Sequence, residues 1–159
     1  MRKVRGITGM LLLLSAALIA QNAATLSGRS SAAPAGISPE AAIRAGLDSQ
    51  VTAWNHGDLK GYMQGYWHSP ELTFFAGDRE SKGWGAAYQR YRTAYMGKDK
   101  EMGMLEFSNL KVEMLGTEAA FVRGGWKLTM KDGNPRSGLF TIVLKRFGEG
   151  WRIIHDHSS

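Results

Sequence analysis

Residues 53–67 read AWNHGDLKGYMQGYW, and this pattern predicts two helices joined by a tight turn. Gly57 breaks the first helix, because glycine readily adopts the left-handed backbone conformation that ends helices. Asp58 follows at once and is a preferred N-cap residue for a second helix. The apolar residues of this short second helix are Leu59, Tyr62, Met63 and Tyr66. Pro70 then ends the helical unit.

The first helix of the pair is predicted to begin near Ser38. Ser38 suits the N-cap, Pro39 the first helical position, and Glu40 the positive end of the helix dipole. Apolar residues then recur at helical spacing as far as about Asn55, namely Ala42, Ile43, Leu47, Val51 and Trp54.

The chain beyond residue 70 changes from helical to strand patterns. Residues 72–76 predict a short strand, and residues 82–95 predict a third helix carrying Trp84, Tyr88, Tyr91 and Tyr95. The charged residues of 79–82 are expected in a loop. Alternating apolar residues and Gly-containing turns from residue 105 onward predict an antiparallel meander. Helices first and strands second is an α+β order, with the helices on one face of a curved sheet.

The N-terminal residues form a signal-peptide pattern, which we assign to residues 1–24. Arg2, Lys3 and Arg5 precede an uncharged apolar stretch, residues 7–20, that is shorter than the ~20 residues of a membrane-spanning helix. We therefore expect export to the periplasm or the exterior, with no stable membrane anchor after cleavage. Residues 25–37 are small and polar and predict a flexible linker, so the folded domain is expected at residues 38–159.

Composition excludes some classes of function. The chain has no cysteine, so the exported domain is expected to fold without disulfides. Its formal charge of +6 includes the three basic residues of the signal peptide, and their removal leaves +3. A charge of that size gives no support for a nucleic-acid partner.

Three short motifs occur in the order found in a known family. These are AWNHGD at 53–58, Lys82-Gly83 before the third helix, and GWRIIHDHSS at 150–159. Together they resemble the SnoaL-like branch of the nuclear transport factor 2-like superfamily over residues 38–159, and the ending resembles the calcium/calmodulin-dependent kinase II association domain. The resemblance implies a cone-shaped, strongly curved antiparallel sheet wrapped around about three N-terminal helices, an apolar pocket and a homodimer. The family includes isomerases, cyclases and dehydratases.

The catalytic and binding positions of two better-known members do not carry over. Ketosteroid isomerases use a carboxylate base with a tyrosine and a protonated aspartate, and the corresponding positions here are Ala76, Gln50 and either Ile142 or Val143. The arginines of the association domain correspond to Ile142 and Ser158. The resemblance therefore implies the shape of a pocket and neither of these chemistries.

His155 and His157 are the candidate catalytic residues. Alternation in a strand places both on one face and Asp156 on the other, and imidazole exchanges protons near neutral pH. Two histidines near the end of a strand also fit a structural or dimer-contact role. A zinc site needs a third ligand, and only His56 and His68 remain among the histidines. We therefore predict no metal and no cofactor.

Aromatic residues are the candidate ligand contacts. Arg123, in contrast, is expected on the outer face of the sheet, where a charged side chain is solvated. The leading hypothesis is a domain that binds a small, mostly apolar organic molecule. The alternatives are an isomerase, dehydratase or cyclase that uses His155 or His157 as general acid or base, and a non-catalytic dimerisation or interaction module. The predicted ligand-binding residues are Trp54, Tyr62, Tyr66, Tyr88 and Trp126.

Overall fold

The structure is a computed structural model, and it describes residues 36–159. The predicted signal peptide and the predicted linker up to residue 35 lie outside the described residues. The helices are α1 (Pro39–Asn55), α2 (Leu59–Tyr62) and α3 (Trp84–Tyr95), with a short 3₁₀ turn at Met63–Gly65. The strands are β1 (Thr73–Ala76), β2 (Arg79–Lys82), β3 (Met104–Met114), β4 (Ala119–Thr129), β5 (Pro135–Phe147) and β6 (Gly150–Ser158). Residues 36–159 are thus an α+β domain, as predicted.

The six strands form one sheet in the order β2-β1-β6-β5-β4-β3. Neighbours are antiparallel except β1 and β6, which run parallel. Bulges in β3 and β6 bend the sheet, which curves around the helices. The structure differs from the prediction at residues 79–82, where the expected loop is the edge strand β2, paired with β1.

Local signals placed α1 and the start of α2 correctly. The Ser38 hydroxyl accepts a hydrogen bond from the Ala41 amide at 3.2 Å, and Pro39 is the first helical residue of α1. Gly57 has φ +76°, and Asp58 caps α2 by accepting from the Gly61 amide at 2.7 Å. The predicted pair of helices joined by a tight turn is therefore confirmed, because caps and turns depend on neighbouring residues. The second helix is shorter than predicted, since α2 ends at Tyr62 and Tyr66 has extended backbone beyond the 3₁₀ turn. The third helix begins at Trp84 and not at residue 82.

Asn55 attaches the end of α1 to the sheet. Its side-chain Nδ2 donates to the Leu105 carbonyl at 3.1 Å, and its Oδ1 accepts from the Leu105 amide at 2.7 Å. Trp54, beside it, donates from Nε1 to the Met102 carbonyl at 2.9 Å. The AWNHGD stretch thus ends a helix and fixes where that helix meets β3.

The core lies between the helices and the inner face of the sheet. Helix α1 contributes Ile43, Leu47 and Trp54, all at most 3 % exposed. The sheet contributes alternate residues of its central strands, namely Ala120, Val122, Leu128, Phe140, Ile142, Leu144 and Ile153. Within residues 36–159, each of the three helices is too short or too polar to form a transmembrane helix.

Candidate functional site

A cavity of about 340 Å³ opens between the three helices and the inner face of the sheet. Its walls are mainly apolar and aromatic. The lining residues include Leu47, Trp54, Phe74, Tyr91, Tyr95, Leu105, Phe107, Trp126, Leu128, Phe140, Ile142 and Ile153. Few polar groups face this space, so their positions define what the cavity can recognise.

Three tyrosine hydroxyls meet at one wall of the cavity. Tyr62 ends α2, Tyr66 follows the 3₁₀ turn, and Tyr91 comes from α3. The Tyr62 hydroxyl oxygen lies 3.3 Å from that of Tyr66 and 3.3 Å from that of Tyr91, and the last two are 3.4 Å apart. Burial raises the pKa of Tyr62 to about 12 and raises the pKa of Tyr66 and Tyr91 as well. All three phenols therefore keep their protons at neutral pH.

Asp156 connects these phenols to the sheet. The Tyr66 hydroxyl donates to Asp156 Oδ2 at 2.6 Å, and the Ser158 hydroxyl donates to Oδ1 at 3.0 Å. The side chain is 4 % exposed and lines the cavity. Burial raises the pKa of Asp156 from 3.8 to about 6, against the lowering effect of the two hydrogen bonds and of His157. A carboxyl group with such a pKa can accept or donate a proton near neutral pH.

A bulge in β6 turns Asp156 toward the cavity. His155 pairs with Val143, but Ile153 already pairs with the next residue of β5, Leu144, so Ile154 is the extra residue. Ile153 faces the core, and strict alternation would then have turned His155 and His157 inward. The bulge reverses this alternation and brings Asp156 to the inner face.

His155 and His157 consequently lie on the outer face of β6. Their rings pack against Phe75, with centroids at 5.0 and 6.1 Å, and His155 Nδ1 is 2.6 Å from the Thr73 hydroxyl. Burial and the neighbouring His157 lower the pKa of His155. The predicted pair shares a face, but that face is not the cavity wall. The sequence analysis did not identify Asp156 as a site residue. The local sign of the bulge in the sequence is the adjacent apolar pair Ile153 and Ile154, which interrupts the alternation of the strand.

Four of the five predicted ligand-binding residues line the cavity: Trp54, Tyr62, Tyr66 and Trp126 do, and Tyr88 does not. Tyr88 stacks on Trp84 at 5.2 Å, away from the cavity. The inward face of α3 is centred on the fully buried Ala87 instead, so Tyr91 and Tyr95 take the place predicted for Tyr88. The predicted outer position of Arg123 is confirmed by its exposure in β4.

The positions equivalent to the superfamily's known sites also reach the cavity. Gln50, Ala76, Ile142 and Ser158 all line it. Gln50 is 4 % exposed and donates from Nε2 to the Tyr62 carbonyl at 3.0 Å. Gly65 makes room for this amide, because a Cβ there would lie 2.3 Å from the Gln50 side chain.

Two further observations concern ligands. Within residues 36–159, no three His, Asp or Glu side chains come together as a metal-binding group, and the absence of a metal or cofactor stays a prediction. Trp126 lines the cavity, and its indole Nε1 is buried and has no hydrogen-bond partner in the described part of the chain. A buried donor without a partner is rare in folded proteins.

Residues 36–159 form an α+β domain whose curved sheet and helices enclose a cavity. The family model of the SnoaL-like domain matches residues 43–159. The chain belongs to this family, within the nuclear transport factor 2-like superfamily. No curated protein shows a significant match.

Solved structures agree with the assignment. A nuclear transport factor 2-like protein of unknown function from Shewanella oneidensis is 35% identical, with a TM-score of 0.71 over 77% of this chain and 99% of that chain. A superfamily protein from Salmonella enterica is 21% identical, with a TM-score of 0.63 over 77% and 92%. A candidate calcium/calmodulin-dependent protein kinase type II association domain from Thiobacillus denitrificans is 22% identical, with a TM-score of 0.61 over 80% and 98%. The last two likenesses show the fold alone.

Proposed function

We propose that this domain binds a small, mostly apolar organic molecule in the cavity. The observation that carries the proposal is an apolar, aromatic cavity of about 340 Å³ with a small cluster of polar groups at its wall. This volume lies at the lower end of the usual range for ligand pockets, roughly 300–1,000 Å³. Such a cavity favours a compact ring compound or a short chain.

The polar groups favour a ligand with at least one oxygen function. Asp156 and the three phenols line the cavity and can accept from or donate to a hydroxyl or carbonyl group. A polar group left buried without a partner costs about 1–3 kcal/mol, so a ligand oxygen that bonds to this cluster gains both affinity and orientation.

The test is binding of a neutral apolar probe, naphthol, followed by tryptophan fluorescence and by native mass spectrometry. Ala94 of α3 is exposed to solvent and is also one of the residues that line the cavity. An Ala94→Trp substitution should obstruct the cavity and weaken binding by about tenfold or more, or about 1.4 kcal/mol. The matched control is Ala86→Trp, an exposed position on the same helix that does not line the cavity.

Unchanged affinity in Ala94→Trp would place the probe outside this cavity. Absence of naphthol binding to the folded wild-type domain would contradict the proposed function. The non-catalytic interaction module would then be the better description.

A second candidate function is proton-transfer catalysis, as in isomerisation, dehydration or cyclisation. The observation that favours it is Asp156, a buried carboxyl group with a pKa of about 6 that faces the cavity beside three phenols. The carboxylate would take a proton from carbon next to a carbonyl group, and a phenol would donate a hydrogen bond to the carbonyl oxygen. This assigns to Asp156 the role predicted for His155 and His157.

Deuterium uptake from heavy water into a panel of enolisable ketones tests this candidate. Asp156→Asn should lower the exchange rate about a hundredfold or more, which is the usual contribution of a general base. The double variant His155→Ala/His157→Ala should exchange at close to the wild-type rate. The reverse pattern, with loss only in the histidine variant, would return the catalytic role to the histidines.

Export and homodimer formation remain part of the proposal. The signal-peptide pattern of residues 1–24 supports secretion or a periplasmic location. The family resemblance supports a homodimer, and the modest charge of the mature domain gives no reason to add a nucleic-acid partner.

A further inference from the structure

Arg90 places a positive charge at the cavity wall. It is a half-buried residue of α3, and it lines the cavity. Its Nη2 donates to the Ala76 carbonyl at 3.3 Å, and its Cζ lies 5.7 Å from the centroid of the Phe74 ring. The strand β1 therefore holds the guanidinium group at a defined place on the wall.

The charge of Arg90 is not neutralised within the described residues. None of the ion pairs in residues 36–159 includes it. A guanidinium has five N–H donors, and Arg90 forms one hydrogen bond to the part of the chain that the structure describes. Among the described residues that line the cavity, Asp156 is the one with an acidic side chain, and it bonds to Tyr66 and Ser158 instead of Arg90.

A second arginine, Arg136, acts together with Arg90 on Tyr95, another residue of the cavity wall. Burial raises the pKa of this phenol, while the positive charges of Arg136 and Arg90 act to lower it. Tyr95 itself lines the cavity. Two cations thus influence a single ring of the wall, and a positive field in a partly desolvated cleft attracts anions.

We propose that the ligand is a small organic acid whose carboxylate pairs with Arg90 and whose apolar body fills the aromatic cavity. This inference rests on the proposed ligand-binding function and names its substrate class. Arginine suits the role because its planar fork matches the two oxygens of a carboxylate. Arg90 lies on α3, whereas the arginine positions implied by the association domain are Ile142 and Ser158, so the anion contact comes from a different element.

Ionised Asp156 influences the orientation in which the ligand binds. Like charges repel most strongly where water is excluded, so a carboxylate is disfavoured beside Asp156 and favoured beside Arg90. The ligand is therefore bound with its acidic end at Arg90 and with its neutral or hydroxylated part toward the tyrosines.

The experiment compares each acid with its primary amide, which has nearly the same shape. The probes are naphthoic acid and naphthamide, phenylbutyric acid and phenylbutyramide, and octanoic acid and octanamide, all measured by calorimetry at neutral pH. The wild-type domain should bind each acid about tenfold or more tighter than its amide, since charge-assisted hydrogen bonds are about twice as strong as neutral ones. The preference should weaken with added salt.

Arg90→Gln should weaken binding of each acid about tenfold or more and reduce the acid-to-amide preference to about one. The matched control is Arg92→Gln, an exposed arginine on the same helix that does not line the cavity, and it should keep the wild-type preference. If Arg90→Gln fails to fold, Arg90→Lys keeps the charge and loses the fork, and an intermediate preference is expected.

The outcomes separate this inference from the proposed function. Equal wild-type affinity for acids and amides would overturn the organic-acid proposal while leaving ligand binding intact. Failure of acids, amides and naphthol alike to bind would overturn both. An acid preference that persists in Arg90→Gln would assign the anion contact to another cation and also overturn the inference.

Discussion

Replacement of Trp54 by alanine is expected to lower the free energy of unfolding by about 3–5 kcal/mol, the usual cost of truncating a large buried aromatic residue. Trp54 is 3 % exposed. Its ring makes edge-on contacts with Tyr62 at 4.9 Å, with Tyr95 at 4.9 Å and with Tyr91 at 5.8 Å. The substitution removes these contacts and the bond from Nε1 to the Met102 carbonyl. Urea denaturation of the protein measures the loss.

Trp54→Phe separates packing from hydrogen bonding at this position. Phenylalanine keeps an aromatic ring but loses the N–H group, so a smaller loss of about 1–3 kcal/mol is expected. A loss below about 1 kcal/mol in Trp54→Ala would contradict the central packing role assigned to this residue.

Asp156→Asn is expected to change how stability depends on pH. The pKa of Asp156 is raised from 3.8 to about 6 in the folded state, mainly by burial. Between these pH values the folded protein binds more protons than the unfolded chain, so wild-type stability falls as pH rises. The two pKa values correspond to a loss of about 3 kcal/mol between pH about 4 and pH about 7, at about 1.4 kcal/mol for each pH unit.

Asparagine cannot ionise, so this part of the pH dependence should disappear in Asp156→Asn. The amide can still accept from Tyr66 through its oxygen and bond to Ser158 through its nitrogen. Denaturation curves across this pH range, wild type against variant, isolate the contribution of one carboxyl group. The expected difference grows in favour of the variant as pH rises.

Asp132→Asn is the matched control for this measurement. Asp132 is exposed, and its bonds with Asn134 lower its pKa, so any contribution has the opposite sign. Parallel pH profiles for the wild type and Asp156→Asn would show that Asp156 ionises normally and would remove the basis for its proposed proton-transfer role.

The sequence predicted the features of the fold that depend on nearby residues. Ser38, Pro39, Gly57 and Asp58 occupy the capping and turn positions assigned to them. The strand segments after residue 103 were also anticipated, because alternation of apolar residues is a property of each segment by itself. The edge strand β2 was missed, since its four polar residues carry no apolar pattern and pair only through the backbone.

The candidate site was predicted less completely, and the failures share a cause. Trp54, Tyr62, Tyr66 and Trp126 were placed in the cavity because large aromatic residues on amphipathic elements usually face the core. Tyr88 was predicted from its helical spacing, but the fully buried Ala87 marks the inward face of α3 and Tyr88 lies outside the cavity lining. Four aromatic residues recur at helical spacing on α3, and only two of them line the cavity, so spacing alone does not say which two. The four are Trp84, Tyr88, Tyr91 and Tyr95, of which the last two line it.

The sequence by itself determined the bounds of α1 and the start of α2, the α+β order, and the sharing of one strand face by His155 and His157 with Asp156 on the other. Only the tertiary structure decided which face is inside. The bulge at Ile154 arises where β6 pairs with β5, and one extra residue there inverts every side chain beyond it. Local propensities act between residues a few positions apart, whereas the register of two strands depends on how the whole sheet packs against the helices.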